Sequence, residues 1–72
     1  MDYRPFIGID PATRSGKPCV KGTRISVFDV LDYLAGGMDI DEILGDFQQL
    51  TRDSVLACIG YAADRERKVD YG

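Results

Sequence analysis

The sequence predicts a small, mainly α fold: a short N-terminal β-hairpin or strand pair followed by three helices, the last two set as a helix-turn-helix. Three observations point there. Gly16 and Gly22 bracket a brief apolar segment inside the basic stretch Gly16-Lys17-Pro18-Cys19-Val20-Lys21-Gly22-Thr23-Arg24-Ile25-Ser26. After Ser26, apolar residues recur at helical spacing almost to the end of the chain. Ser26, Asp39 and Thr51, all good N-caps, stand ahead of separate apolar runs. At 72 residues one domain fits: a basic β element over 1–26, a helical bundle over 27–66 and a frayed end over 67–72. A core this small supplies about 3–5 kcal/mol, so a homodimer, a higher oligomer or another partner is expected.

In chain order, Phe6-Ile7-Gly8-Ile9 reads as a first strand, closed by the turn-forming Asp10-Pro11. Ala12 to Ser15 form a polar loop. Gly16 and Gly22 offer positive φ around a second strand at Cys19-Val20. Pro18, which has no N–H to donate, suggests that this second strand is exposed along one edge. The first helix begins after Ser26, with Asp29 in the reciprocal capping position, and ends at Gly36-Gly37. Val27, Val30, Leu31, Leu34 and Ala35 make its apolar face, and Asp29, Asp32 and Tyr33 its outer one. Asp39 and Glu42 form a second capping box for a brief helix that buries Ile40, Ile43, Leu44 and Phe47 and is weakened by Gly45. Thr51 caps the longest helix, from Arg52 to about Arg65, with Val55, Leu56, Ile59, Ala62 and Ala63 on its apolar side and Tyr61, Asp64 and Arg65 on the other.

The net charge of −3 is unevenly spread. Residues 1–26 hold Arg4, Arg14, Lys17, Lys21 and Arg24 against Asp2 and Asp10, whereas residues 27–60 hold seven acids against Arg52 alone. This division suits an anion at the basic end or pairing of acidic and basic faces. No His is present, and Cys19 and Cys58 are far apart, so neither a metal site nor a cofactor is expected. Alternation places Cys19 on the strand face of Lys17 and Lys21, where an exposed thiol would be activated; a small packed residue is the simpler reading, and both thiols are expected to be buried and reduced. With no paired nucleophile and base and no phosphate-binding loop, an enzyme is not expected. Residues 1–11 do not resemble a signal peptide and no apolar run has membrane length, so the cytoplasm is the expected compartment.

The helix-turn-helix form allows the last helix to enter a DNA major groove. Its start, Thr51-Arg52-Asp53-Ser54, offers one cation beside an acid, and the preceding helix is acidic, which disfavours phosphate. A dimer that adds Lys17, Lys21 and Arg24 would bind better.

The glycine-bracketed stretch, the helix ending at Gly36, Ile43-Leu44 and Leu50-Thr51 together resemble the small prokaryotic domain-of-unknown-function family four-three-three. Its pattern runs from an apolar strand through Gly-Lys-Pro-x-x-x-Gly-Thr-Arg-Ile to a helical hairpin. The likeness covers Ile7 to about Arg65, with Phe47-Gln48-Gln49 standing where many members carry an aromatic and a proline. It implies a homeodomain-like helix-turn-helix fold and an antitoxin that neutralises a PIN-like ribonuclease toxin. Such toxins hold metal in a carboxylate cluster that an antitoxin covers, sometimes with an arginine, through charge-assisted pairing. Arg24, Arg65, Arg67 and Lys68 are then the toxin-binding candidates, the C-terminal group being favoured because a mobile end can order in a cleft. Antitoxins of this kind also bind their own promoter as dimers, which would assign Thr51, Arg52 and Ser54 to the groove and Lys17, Lys21 and Arg24 to phosphates. A DNA-binding transcriptional regulator without a toxin and a non-catalytic protein-interaction module stand as the alternatives.

Overall fold

The computed structural model describes residues 1–68. A strand pair, β1 (Ile7–Gly8) and β2 (Cys19–Val20), precedes α1 (Val27–Ala35), α2 (Ile40–Asp46) and α3 (Arg52–Lys68). The strands are antiparallel, with Ile7 opposite Val20 and Gly8 opposite Cys19. Between them the chain makes a 3-10 turn over Arg14–Gly16 in which Arg14, Ser15 and Gly16 all have positive φ. For the two non-glycine residues that backbone costs about 1–2 kcal/mol each. The Arg14 side chain holds the turn in place, its Nη1 donating to the Arg24 carbonyl at 2.9 Å and to Asp29 Oδ2 at 3.1 Å.

β2 is not the exposed edge that Pro18 suggested. Gly22, at φ +78°, turns the chain back so that Ile25 and Ser26 run along the other side of β2. Val20 N–H donates to the Ile25 carbonyl and Val27 N–H to the Pro18 carbonyl, each at 2.9 Å. Proline's missing N–H costs nothing here because Pro18 serves as an acceptor. The open edge belongs to β1.

Each helix starts on a reciprocal cap. Ser26 pairs with Asp29, Asp39 with Glu42, and Thr51 with Ser54, whose hydroxyl accepts from Thr51 N–H at 2.9 Å while Ser54 N–H donates to Thr51 Oγ1 at 3.1 Å. Gly36 closes α1 and Gly37 takes φ +102° beyond it. α3 continues to Lys68, so Arg67 and Lys68 are helical rather than frayed; the frayed end expected over 69–72 lies outside the described residues.

The core is built from Ile7, Val20, Val27, Val30, Ile43, Leu50, Val55, Ala57 and Cys58. Two faces differ from expectation. On α3 the buried residues are Ser54, Val55, Ala57 and Cys58, whereas Leu56 and Ile59 remain 37% and 40% exposed and Ala63 is exposed. Small residues at i, i+3 and i+4 form the contact side of α3, which turns the bulky pair outward. On α1, Tyr33 is not an outward residue: its ring stacks on Phe47 at 4.9 Å and 11°. Tyr61 likewise turns inward and meets Tyr3 edge-on at 5.3 Å.

The Asp29 carboxyl lies below the usual carboxylate range: burial pushes it up, but hydrogen bonds from Ser26 and Arg14 outweigh that. A folded value below the unfolded one gives stability that is present above the ordinary carboxylate pKa and lost as pH falls through the folded value. Asp29→Asn should therefore lower the melting temperature at neutral pH, by about 0.5–2 kcal/mol of stability, and flatten its decline in acid. Thermal melts followed by circular dichroism across pH test this, and identical acid limbs would contradict it.

Candidate functional site

α3 carries most of the candidate residues, and its helical geometry sorts them into separate surfaces. Leu56, Ile59 and Ala63 follow Arg52 at i+4, i+7 and i+11, so they form one outward stripe. Arg52 stands at one end of the stripe and Arg67 at the other, about 22 Å apart at 1.5 Å per residue, while Lys68 lies about 100° further round the helix, on the side of Asp64. An apolar ridge bracketed by cations thus faces away from the core. Leu56 and Ile59 are absent from the sequence-derived candidates because their spacing reads as a core face. The signal was nonetheless present: Val55-Leu56-Ala57-Cys58-Ile59 is an unbroken apolar run, which cannot all lie on one side of a helix.

The C-terminal cations divide. Arg67 and Lys68 both reach Asp64, at 3.6 and 3.0 Å, and Asp64 Oδ2 also accepts the Tyr3 hydroxyl at 2.5 Å. They line an open cleft of about 640 Å³ with Asp2, Tyr3 and Arg4, where Arg4 pairs with Asp2 at 2.9 Å. The Tyr3 hydroxyl, followed by Lys68, holds the Asp64 carboxyl below its usual range, and Asp64 in turn raises both Tyr3 and Lys68. Arg65 points elsewhere, lying 5.9 Å from the Tyr61 ring centroid beside a groove between α1 and α3. The expected group of Arg65, Arg67 and Lys68 is therefore not one patch.

The start of α3 is poorly placed to read bases. Ser54 is 4% exposed, its hydroxyl committed to Thr51 N–H and the Thr51 carbonyl, so it is corrected from a groove-reading candidate to a buried cap. Thr51 uses its hydroxyl to cap Ser54 N–H. Arg52 is exposed but shares a cleft with Asp39, Ile40 and Asp41, where two acids compete with any phosphate. At the basic end, Arg4 and Arg14 are paired internally, while Lys17, Lys21 and Arg24 are exposed and in no ion pair among the described residues.

Cys19 does not share an exposed face with the lysines. It is buried, its Sγ 3.4 Å from the Lys17 carbonyl, with the Ile25–Ser26 segment paired alongside β2. Cys58 is fully buried in the core, and burial pushes its thiol up to about 11. Burial thus keeps the Cys58 thiol protonated and unreactive. Among the described residues no cluster of three or more metal-ligating side chains occurs, and no helix is long and apolar enough to cross a membrane.

Tyr3→Phe should raise the Asp64 pKa toward the ordinary carboxylate range, because the first of its stabilising hydrogen bonds is removed. Carboxyl titration followed by NMR measures this directly. An unchanged Asp64 titration would assign its low value to the cations alone.

The family model described as "Protein of unknown function (DUF433)" matches residues 7–62, most of the chain. The crystal structure of a DUF433 member protein from Anabaena variabilis is similar, with a TM-score of 0.80 and 26% identity over 90% of this chain. This chain spans 64% of that protein's length. None of the curated proteins matches the sequence significantly.

Proposed function

The chain belongs to the DUF433 family, and from that premise we propose that it is a cytoplasmic, non-catalytic antitoxin that binds and neutralises a PIN-like ribonuclease. The observation that carries this reading is the outward face of α3. Leu56 and Ile59 supply an apolar ridge with cations at both ends, which suits a helix laid into a partner's groove better than it suits a nucleic-acid backbone. Leu56 and Ile59 exclude water from the contact. Arg67 and Lys68 then meet the carboxylates of the nuclease site, exchanging Asp64 for the partner's acids. Asp64 holds both cations beside the cleft before the partner arrives, so less rotamer freedom is lost on binding. Arg24 and Arg65 lie off this ridge and are secondary contacts in this scheme.

Promoter binding is the second reading, supported by the exposed and unpaired Lys17, Lys21 and Arg24. It places phosphates on the N-terminal element rather than bases on α3. A regulator without a toxin would rely on the same cations.

Expressing the tagged chain with its genomic neighbour should yield a complex of defined ratio in which the nuclease is silent. Leu56→Asp and Ile59→Asp should each weaken that complex at least about tenfold while leaving the melting temperature nearly unchanged, as expected for surface positions. If the complex survives both substitutions, the ridge is not the contact. If no nuclease co-purifies and the chain instead binds its upstream DNA with a steep salt dependence, the regulator reading replaces this one.

A further inference from the structure

The cleft of about 640 Å³ is built from both ends of the chain: residues 1–4 form one wall and the C-terminal half of α3 the other. Its size falls in the range of small-ligand sites, about 300–1,000 Å³. The hydrogen bond from the Tyr3 hydroxyl to Asp64 fastens one wall to the other, and Gly60 and Ala63 keep the space between them open. Three cations, Arg4, Arg67 and Lys68, line it against two acids, Asp2 and Asp64.

The acids hold these cations without exhausting them. Asp2 takes only Nε and Nη2 of Arg4, at 2.9 and 3.3 Å. Arg67 stands 3.6 Å from Asp64 and donates no hydrogen bond among the described residues. Most N–H donors of the two guanidinium groups are therefore unspent. Both walls share one field: the hydrogen bond to Asp2, and with it the charge of Asp64, raises the Arg4 guanidinium. Arginine forks match phosphate oxygens, and a tetrahedral phosphate offers oxygens in several directions, as donors on two facing walls require. A carboxylate offers a single planar edge. We propose that this cleft is a phosphate-binding site, in which Arg4 and Arg67 grip the anion from opposite walls, Lys68 adds charge, and Asp2 and Asp64 act as internal competitors that pre-position the cations and moderate affinity. Arg67 and Lys68 also belong to the surface assigned above to a protein partner, but the site rests on the cleft alone and no partner enters its test.

The test is a titration of the full chain with sodium phosphate at constant pH, followed by NMR of backbone amides and arginine Nε groups. Saturable shifts centred on Arg4, Arg67 and Lys68 are expected, and sodium chloride at matched ionic strength should not reproduce them. Arg4→Gln and Arg67→Gln should each weaken binding at least about threefold. Asp64→Asn should tighten it, because asparagine keeps an oxygen for the Tyr3 hydroxyl while the competing charge is removed; Asp2→Asn repeats the comparison on the other wall. Shifts that never saturate, or that chloride matches, overturn the proposal. So does indifference to either arginine substitution, or a loss of affinity in both asparagine variants.

Discussion

Ser26 is the joint on which the other elements depend. It is 1% exposed, its N–H donates to Asp29 Oδ2 at 3.1 Å, and its hydroxyl accepts from Asp29 N–H at 3.0 Å. On its strand side it bridges Cys19, and through Asp29 it connects to Arg14 in the turn that follows β1. One capping box thus ties together the N-terminal turn, the strand pair and the first helix. A two-residue antiparallel pair has no stability of its own in water. The strands persist because the Ile25–Ser26 segment adds a third backbone alongside β2 and because Ile7 and Val20 face the helices. The strained backbone at Arg14 and Ser15 is offset from the same joint, since the Arg14 guanidinium reaches both Arg24 and Asp29.

Features set by neighbouring residues were legible in the sequence, and features set by distant packing were not. The helix starts at Ser26, Asp39 and Thr51, the positive φ of Gly16, Gly22 and Gly37, and the second strand at Cys19-Val20 all follow from interactions within a few residues. The rotation of α3 did not follow, because Val55 to Ile59 are apolar without a break and periodicity cannot choose between two possible faces. Small size chose: Ser54, Ala57 and Cys58 admit close packing where Leu56 and Ile59 would not. The same limit hid the inward turn of Tyr33, whose partner Phe47 is the residue that caps the end of another helix. It also hid the link from Tyr3 to Asp64, which joins residues at opposite ends of the chain. Among the site candidates, charge identified the cations, but only the fold shows that Arg65 parts from Arg67 and Lys68 and that Ser54 is buried.

The uneven charge of the sequence becomes a division of surfaces in the fold. The acids of α2 gather around the start of α3, where Asp39 and Asp41 share a cleft with Arg52. Local negative potential there works against phosphate however the helix is oriented. The other end of α3 carries Arg67 and Lys68 on a single shared carboxylate, Asp64. Two cations on one acid leave net positive charge at that end, next to an apolar ridge rather than a polar one. That combination favours an acidic protein surface over a nucleic acid, because a partner that covers Leu56 and Ile59 gains from desolvating them, whereas a phosphate backbone does not.

A domain this small buries few large side chains. Here Phe28, Leu56 and Ile59 are left at the surface while Ala57, Cys58 and Ser54 occupy the contact side of α3. The result is a helix with two distinct sides: one packed on the core and, further along, lining the groove against α1 through Tyr61, Ala62 and Arg65, and one carrying the outward ridge. At 100° per residue, the groove side and the ridge lie more than a quarter turn apart. A partner seated on the ridge would therefore leave the groove side uncovered.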